Sequence, residues 1–195
     1  RESRLVRLGW RNYTNMRKLT VKEMTLVALF PAMMAATAGI AIPLGSLPPV
    51  SLQTIFVFMA ALLLGPRLGS LSMVIYIVMG MIGLPVFSGF RGGLDVLTGQ
   101  SGGFVIGFIF SAYFIGFMKN INFLNKNILY IFLILVVGNI VIYMFGSSYI
   151  AYITRTNIWL IIATFSPYFI GDLLKIIVVL YVYSRIRKHI AYESA

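Results

Sequence analysis

The sequence has no cysteine and a single histidine among its 195 residues. The lack of cysteine excludes disulfides, thiolate metal sites and a thiol nucleophile. The one histidine, His189, lies in a basic C-terminal segment, where we interpret it as an ordinary residue of the membrane interface. Neither a His-based metal cluster nor a Ser–His pair inside the membrane is therefore expected.

Charged residues are also scarce, and those present are mostly of one sign. They make up 11% of the chain, whereas soluble domains carry about 25%. Hydrophobic residues make up 59%, which predicts an integral membrane protein of one compact helical domain. The net charge is +11. In a membrane protein, an excess of basic residues is related to the orientation of the chain in the bilayer. We therefore expect no nucleic-acid partner.

The apolar runs predict an all-α, polytopic membrane protein with six transmembrane helices. We expect a basic cytoplasmic arm at 1–23, the six-helix domain at 24–188 and a cytoplasmic tail at 189–195. An uncharged loop, a glycine-rich loop and a polar loop are predicted at 42–51, 85–102 and 146–157. The predicted spans are Met24–Ile42, Leu52–Leu64, Ser70–Leu84, Gly103–Met118, Ile128–Phe145 and Ile158–Tyr183.

The distribution of lysine and arginine predicts the orientation. Six spans place both termini on one side, and that side then carries 13 basic residues. The opposite side carries only Arg91 and Arg155. Because cytoplasmic loops of membrane proteins are enriched in basic residues, we expect both termini in the cytoplasm and the Arg91 loop outside the plasma membrane.

The last predicted span contains two charged residues, Asp172 and Lys175. A charge at membrane depth costs about 2.5–3.5 kcal/mol on an insertion scale, so such residues usually have a role. Their spacing of three places them on one helix face. They indicate either a structural ion pair or a polar binding site. Pro167 and Gly171 are expected to loosen the backbone nearby.

Other polar residues could join this pair from the outer side of the membrane. Arg91 has a planar guanidinium group that suits a carboxylate. Gln53, Asn139 and Tyr76 could add neutral donors and acceptors. Such a set suits a small polar ligand with an anionic end in an otherwise apolar pocket.

Two other functional classes remain as alternatives. An intramembrane enzyme could use Asp172 with Asp95, if the loop that carries Asp95 dipped into the membrane. A channel or ion-coupled carrier usually shows repeats or several intramembrane charges, and neither is evident. The GxxxxGK[ST] phosphate loop is absent, so ATP-driven transport would need another chain.

Alanines recur at every fourth position of the first span, at Ala28, Ala32 and Ala36. Small residues at this spacing let another helix approach closely in a membrane. The strip predicts tight packing either within this chain or against a partner.

Four motifs resemble one family. They are PPVSLQT around Gln53, LLGPRLGSLS, GLPVFSGFRGGLDVLTGQSGGFVIGF from Gly83 to Phe108, and GDLLK from Gly171 to Lys175. Together they resemble the BioY family, the biotin-specific S components of energy-coupling factor (ECF) transporters. The resemblance covers about Thr20 to Lys188.

The resemblance implies a membrane subunit that captures biotin from outside. It implies partners, namely a transmembrane coupling subunit and two cytoplasmic ATPases that use ATP, and no cofactor bound by this chain. Asp172 is then matched to the ureido ring, and the Ala28–Ala32–Ala36 strip to docking of the coupling subunit. The implied ligand-site residues are Gln53, Arg91, Asp172, Lys175, Tyr76, Asn139 and Tyr149. Another vitamin remains an alternative ligand.

The glycine-rich loop is expected to act as a lid. It has five glycines, which permit rearrangement at low steric cost. We expect it to fold over the ligand, burying Phe87 or Phe90 and bringing Arg91 inward.

Overall fold

The computed structural model describes residues 19–44, 47–120, 127–165 and 168–193. Most of the predicted basic arm, part of the turn that follows Lys119, Pro167 and the last two residues lie outside the described residues. Within the described part the chain is mostly helical, as predicted.

The first helix, α1 (Val21–Ala36), begins at a capping box. Thr20 accepts a hydrogen bond from the main-chain N–H of Glu23, and the Glu23 carboxylate accepts one from the N–H of Thr20. This exchange satisfies two N–H groups that a helix start leaves free. The inner face of α1 is buried, and Ser72 donates a hydrogen bond to the main-chain oxygen of Val27 at 2.8 Å.

A two-stranded antiparallel hairpin follows α1, formed by β1 (Ala41–Leu44) and β2 (Leu47–Ser51). The predicted uncharged loop at 42–51 is therefore mostly a hairpin, which is a small addition to a chain that is mostly helical, as the predicted fold class requires. The prolines in this segment had favoured the prediction of a loop. Proline lacks an N–H, but in a two-stranded sheet each strand has a free edge, where a missing donor is tolerated.

The next helical segment, α2 (Gln53–Met81), is a helical hairpin rather than one straight helix. Gly65 has φ 79° and ψ −172°, which breaks the helix. The side chains of Gln53 and Tyr76 are hydrogen-bonded at 2.5 Å. In a straight helix these residues would lie about 34 Å apart. The chain thus reverses at Gly65, as expected from the predicted turn between the second and third spans.

The glycine-rich loop contains a short helix, α3 (Leu94–Thr98), and leads into α4 (Gly102–Lys119). The next helix, α5 (Ile128–Thr154), extends nine residues beyond the predicted end of its span. The predicted polar loop at 146–157 is therefore largely helical. Close packing explains this, because a Cβ at Gly103 would overlap the Gly146 backbone and Tyr149 side chain on the facing helix.

The last predicted span is broken into α6 (Ile158–Thr164) and α7 (Tyr168–Glu193), which meet at 59°. The break between these two helices falls in the region where Pro167 and Gly171 were expected to loosen the backbone. In addition, α7 continues through most of the predicted tail.

Three helices of the described part, α2, α4 and α5, are long and apolar enough to cross a bilayer. The bent pair of α6 and α7 would be a fourth such element. Many large hydrophobic side chains on their outer faces are exposed, among them Phe110, Leu133 and Leu174. Such a surface suits lipid, so the chain is a multi-pass membrane protein.

Candidate functional site

A cavity of about 670 Å³, including its open mouth, lies among the helix ends. The hairpin, α2, the glycine-rich loop, α4, α5 and the α6–α7 break all contribute to its wall. Of the predicted site residues, the cavity is lined by Gln53, Arg91, Asn139, Asp172 and Lys175.

Asp172 is the centre of the polar part of the wall and is only 6% exposed. Its Oδ1 atom lies 2.8 Å from the Lys175 ammonium nitrogen. Its Oδ2 atom accepts hydrogen bonds from Tyr143 at 2.5 Å and from Asn139 at 3.2 Å. Three donors on two helices therefore compensate the burial of this carboxylate.

Gln53 and Tyr76 have different roles. Gln53 lines the cavity and donates a hydrogen bond from Nε2 to the Tyr76 hydroxyl. Tyr76 is fully buried behind it and donates in turn to the main-chain oxygen of Val86 at 3.1 Å. Tyr76 does not line the cavity, and its hydroxyl holds the Gln53 side chain from behind.

The glycine-rich loop lies over the cavity and is fixed by its own contacts. Phe87 is 2% exposed, and its ring packs into the space left by the missing side chain of Gly80. Phe87 and Arg91 pair through main-chain hydrogen bonds of 2.9 and 3.2 Å. The Arg91 side chain is exposed at the cavity mouth. Phe90 is 60% exposed, so of the two candidate phenylalanines only Phe87 is buried.

Two further candidates lie apart from the cavity wall. The Tyr149 hydroxyl donates to the main-chain oxygens of Leu97 and Thr98, at 3.2 and 3.1 Å, and so holds the end of α3. Asp95 is exposed on α3 and does not line the cavity. The carboxylate pair required by the enzyme alternative, Asp172 with Asp95, is therefore not assembled.

Sequence reasoning missed the aromatic part of the site. Tyr143 lines the cavity beside Asp172, and Tyr168 donates to the main-chain oxygen of Pro48 at 2.8 Å, which joins α7 to the hairpin. Phe104 and Phe165 meet edge to face at 5.3 Å in the same wall. The sequence could have suggested Tyr143 as a site residue, because it follows Asn139 by four residues and therefore shares its helix face.

Two polar atoms in residues of the wall have no hydrogen-bond partner within the described part of the chain. They are the hydroxyl oxygen of Thr54 and the Oδ1 atom of Asn139. Buried polar atoms without partners are rare. A polar ligand could supply the missing partners. No group of residues able to hold a metal ion occurs within the described ranges.

The alanine strip of α1 lies away from this cavity. Ala28, Ala32 and Ala36 are all exposed, whereas Phe30 and Met34 face the interior. The strip is thus not used for packing within the described part of the chain.

Comparison with known proteins agrees with this geometry. A relative from Pyrococcus horikoshii, described as a probable biotin transporter BioY, is 34% identical over 80% of this chain and 91% of its own length. The biotin transporter BioY of Thermotoga maritima is 32% identical over 86% of this chain and 97% of its own length.

One solved structure shares the fold. It is the crystal structure of the S component for biotin from an ECF-type ABC transporter. It matches with a TM-score of 0.80 at 28% identity, over 88% of this chain and 95% of that chain. The sequence profile of the BioY family matches residues 13–192, which include every cavity residue described above and every element except the last residue of α7. The chain belongs to the BioY family.

Proposed function

We propose that this protein is the substrate-binding S component of an ECF-type importer and that its ligand is biotin. The observation that carries the proposal is the buried Asp172–Lys175 pair in the wall of an otherwise largely apolar cavity, with Arg91 at the mouth. The named relatives are biotin transporters, and the matched structure is an S component for biotin.

The charges of the cavity fit a monoanion with a neutral polar ring. Asp172 and Lys175 compensate each other, so Arg91 leaves one net positive charge among the charged residues of the wall. Biotin carries one carboxylate and an uncharged ureido ring with N–H and C=O groups. The carboxylate can pair with Arg91, and the ring can use the carboxylate and ammonium groups of the pair. The rings of Phe104 and Phe165 can cover its apolar part.

Two rival ligands fit this wall less well. Thiamin is cationic and would meet Arg91 and Lys175. Riboflavin has no carboxylate for Arg91 and a larger ring system. An enzymatic role is disfavoured because the relatives are transporters and Asp95 does not line the cavity.

The topology and assembly form part of the same proposal. Six transmembrane segments would result if α1, the two arms of α2, α4, α5 and the α6–α7 pair each cross the membrane. The 13-to-2 distribution of basic residues supports cytoplasmic termini and an outward Arg91 loop. The cell membrane of a prokaryote is the expected location, since the relatives are bacterial and archaeal.

Transport would require partners, because this sequence has no phosphate-binding loop. We propose a transmembrane coupling subunit and two ATPases that use ATP, with no cofactor held by this chain. The exposed strip of Ala28, Ala32 and Ala36 is the proposed docking face, since it lets a partner helix approach closely.

The test is competition binding on the purified full chain in lipid nanodiscs. Labelled biotin should bind without ATP or other subunits, and unlabelled biotin should displace it. Thiamin and riboflavin should not displace it at concentrations where biotin does. Displacement by thiamin or riboflavin in preference to biotin would assign the cavity to another vitamin.

A further inference from the structure

The two oxygen atoms of the Asp172 carboxylate accept different numbers of hydrogen bonds. A carboxylate has about four lone-pair positions, two on each oxygen. Among the residues that the structure describes, the Oδ2 atom accepts from both Tyr143 and Asn139, whereas the Oδ1 atom accepts from Lys175 alone. One lone-pair position therefore remains, and it lies on Oδ1 beside the ammonium group.

We propose that Tyr143 is a positioning residue that sets the ligand specificity of this site, an inference that rests on the proposed function. Its hydroxyl occupies Oδ2 and directs an incoming N–H group to Oδ1. There the ligand also meets Lys175, which has two N–H bonds beyond the one used by Asp172. A ureido group presents an N–H beside a C=O, so it can donate to Oδ1 and accept from the ammonium group together.

The ring contacts of Tyr143 explain why its hydroxyl can hold this arrangement. The ring is stacked on Phe169 at 4.9 Å and 14°, and it meets the edge of Phe104 at 5.8 Å. These neighbours fix the ring on α5, while Asp172 belongs to α7. The hydrogen bond therefore spans two helices with little freedom at its donor end. A rigid donor constrains the carboxylate more than a flexible side chain would.

The test compares biotin with 2-iminobiotin in the Tyr143→Phe variant. The guanidine of 2-iminobiotin is protonated at neutral pH and places N–H donors where biotin has its carbonyl, opposite Lys175. The parent protein should therefore prefer biotin. Tyr143→Phe keeps the ring but frees a lone pair on Oδ2. Affinity for biotin should fall about tenfold, the scale of a hydrogen bond to a charged group.

The specificity change is the readout that a purely structural role would not produce. Affinity for 2-iminobiotin should fall less than affinity for biotin, because the freed Oδ2 position can accept one of its additional N–H groups. The preference for biotin should thus shrink about fivefold or more. Adding Tyr143→Phe to Asp172→Ala should change neither affinity further, because the hydroxyl acts through the carboxylate, which alanine lacks.

Tyr130→Phe is the matched control. Tyr130 lies on the same helix, and its hydroxyl donates to the main-chain oxygen of Met118 at 2.8 Å, away from the cavity wall. Its loss removes one interhelical hydrogen bond and should leave both affinities unchanged. Thermal unfolding of each variant checks the fold. Should Tyr143→Phe fail to fold, Phe169→Leu removes the ring that is stacked on Tyr143 and does not line the cavity, and it should lower the preference for biotin in the same direction.

The outcomes separate this inference from the proposed function. A folded parent that does not bind biotin refutes the proposed function. A parent that binds biotin, with an unchanged ratio of affinities in Tyr143→Phe, overturns the role of Tyr143. A smaller ratio in Tyr143→Phe with no change in Tyr130→Phe supports it.

Discussion

Asp172 and Lys175 face each other across one turn of α7, with 2.8 Å between the carboxylate and ammonium groups. The pair lies in the wall of a cavity and not in a sealed interface between helices. This position is compatible with the binding site that the sequence suggested, while a structural ion pair remains the alternative to be tested. A purely structural pair would be expected to keep its charges away from any ligand-sized space.

A neutral pair of substitutions tests that distinction. Removing one partner leaves a buried charge uncompensated, so Lys175→Met alone should destabilise the fold by about 3–5 kcal/mol. The double variant Asp172→Asn/Lys175→Met removes both charges and should recover much of that loss in thermal unfolding. It should nevertheless bind biotin poorly. Recovery of both stability and biotin affinity would show that the pair is only structural.

The fixed position of Phe87 gives a second prediction. A Cβ at Gly80 would overlap the Phe87 ring, so Gly80→Ala should displace this ring from the cavity wall. Biotin affinity and unfolding temperature should both fall. Gly171→Ala is the control, because a Cβ there meets nothing within 4 Å and alanine favours a helix. Equal behaviour of the two variants would argue against a wall that depends on Phe87.

The sequence predicted the parts of the fold and site that rest on local signals. The intramembrane charges of Asp172 and Lys175 were conspicuous because such residues are costly in lipid, and both line the cavity. Gly65 and Pro66 marked a turn, and the structure confirms a chain reversal there. Each of these signals belongs to one short stretch of sequence.

The remaining features depend on contacts between distant segments. The polar residues at the end of α5 looked like a loop, but the helix continues because Gly103 lets α4 approach closely. Tyr149, which the resemblance suggested as a ligand residue, donates hydrogen bonds to the main-chain oxygens of Leu97 and Thr98 at the end of α3. Tyr168 acquires its role only because Pro48, 120 residues earlier, lies within 2.8 Å. Residue type and spacing carry little information on such pairs.

The alanine strip gives a third prediction, which concerns assembly. Ala32→Trp combined with Ala36→Trp should block the close approach of a partner helix. Co-purification with the coupling subunit and ATP-dependent uptake should fall, while biotin binding by the isolated chain should persist because both positions are exposed. Leu133→Trp is the control, because it changes an exposed position on α5 and should leave assembly intact. Normal uptake by the double tryptophan variant would exclude the strip as a docking face.

A fourth prediction concerns orientation in the membrane. The sequence has no cysteine, so single cysteines can be introduced without a background signal. An impermeant thiol reagent applied to whole cells should label Leu94→Cys, which is 58% exposed in the glycine-rich loop. It should not label Ser3→Cys or Ser194→Cys until the cells are opened. The reverse pattern would place the termini outside and the loop inside.

The most direct test of biotin capture is calorimetric titration of biotin into the purified full chain, compared with Asp172→Ala. The parent should bind one biotin per chain without ATP or other subunits. Asp172→Ala should lose at least about 1.5–3 kcal/mol of binding free energy while it remains folded, the scale of a charge-assisted hydrogen bond. A folded parent that shows no saturable biotin binding, or a folded Asp172→Ala variant with parental affinity, would contradict biotin recognition through Asp172.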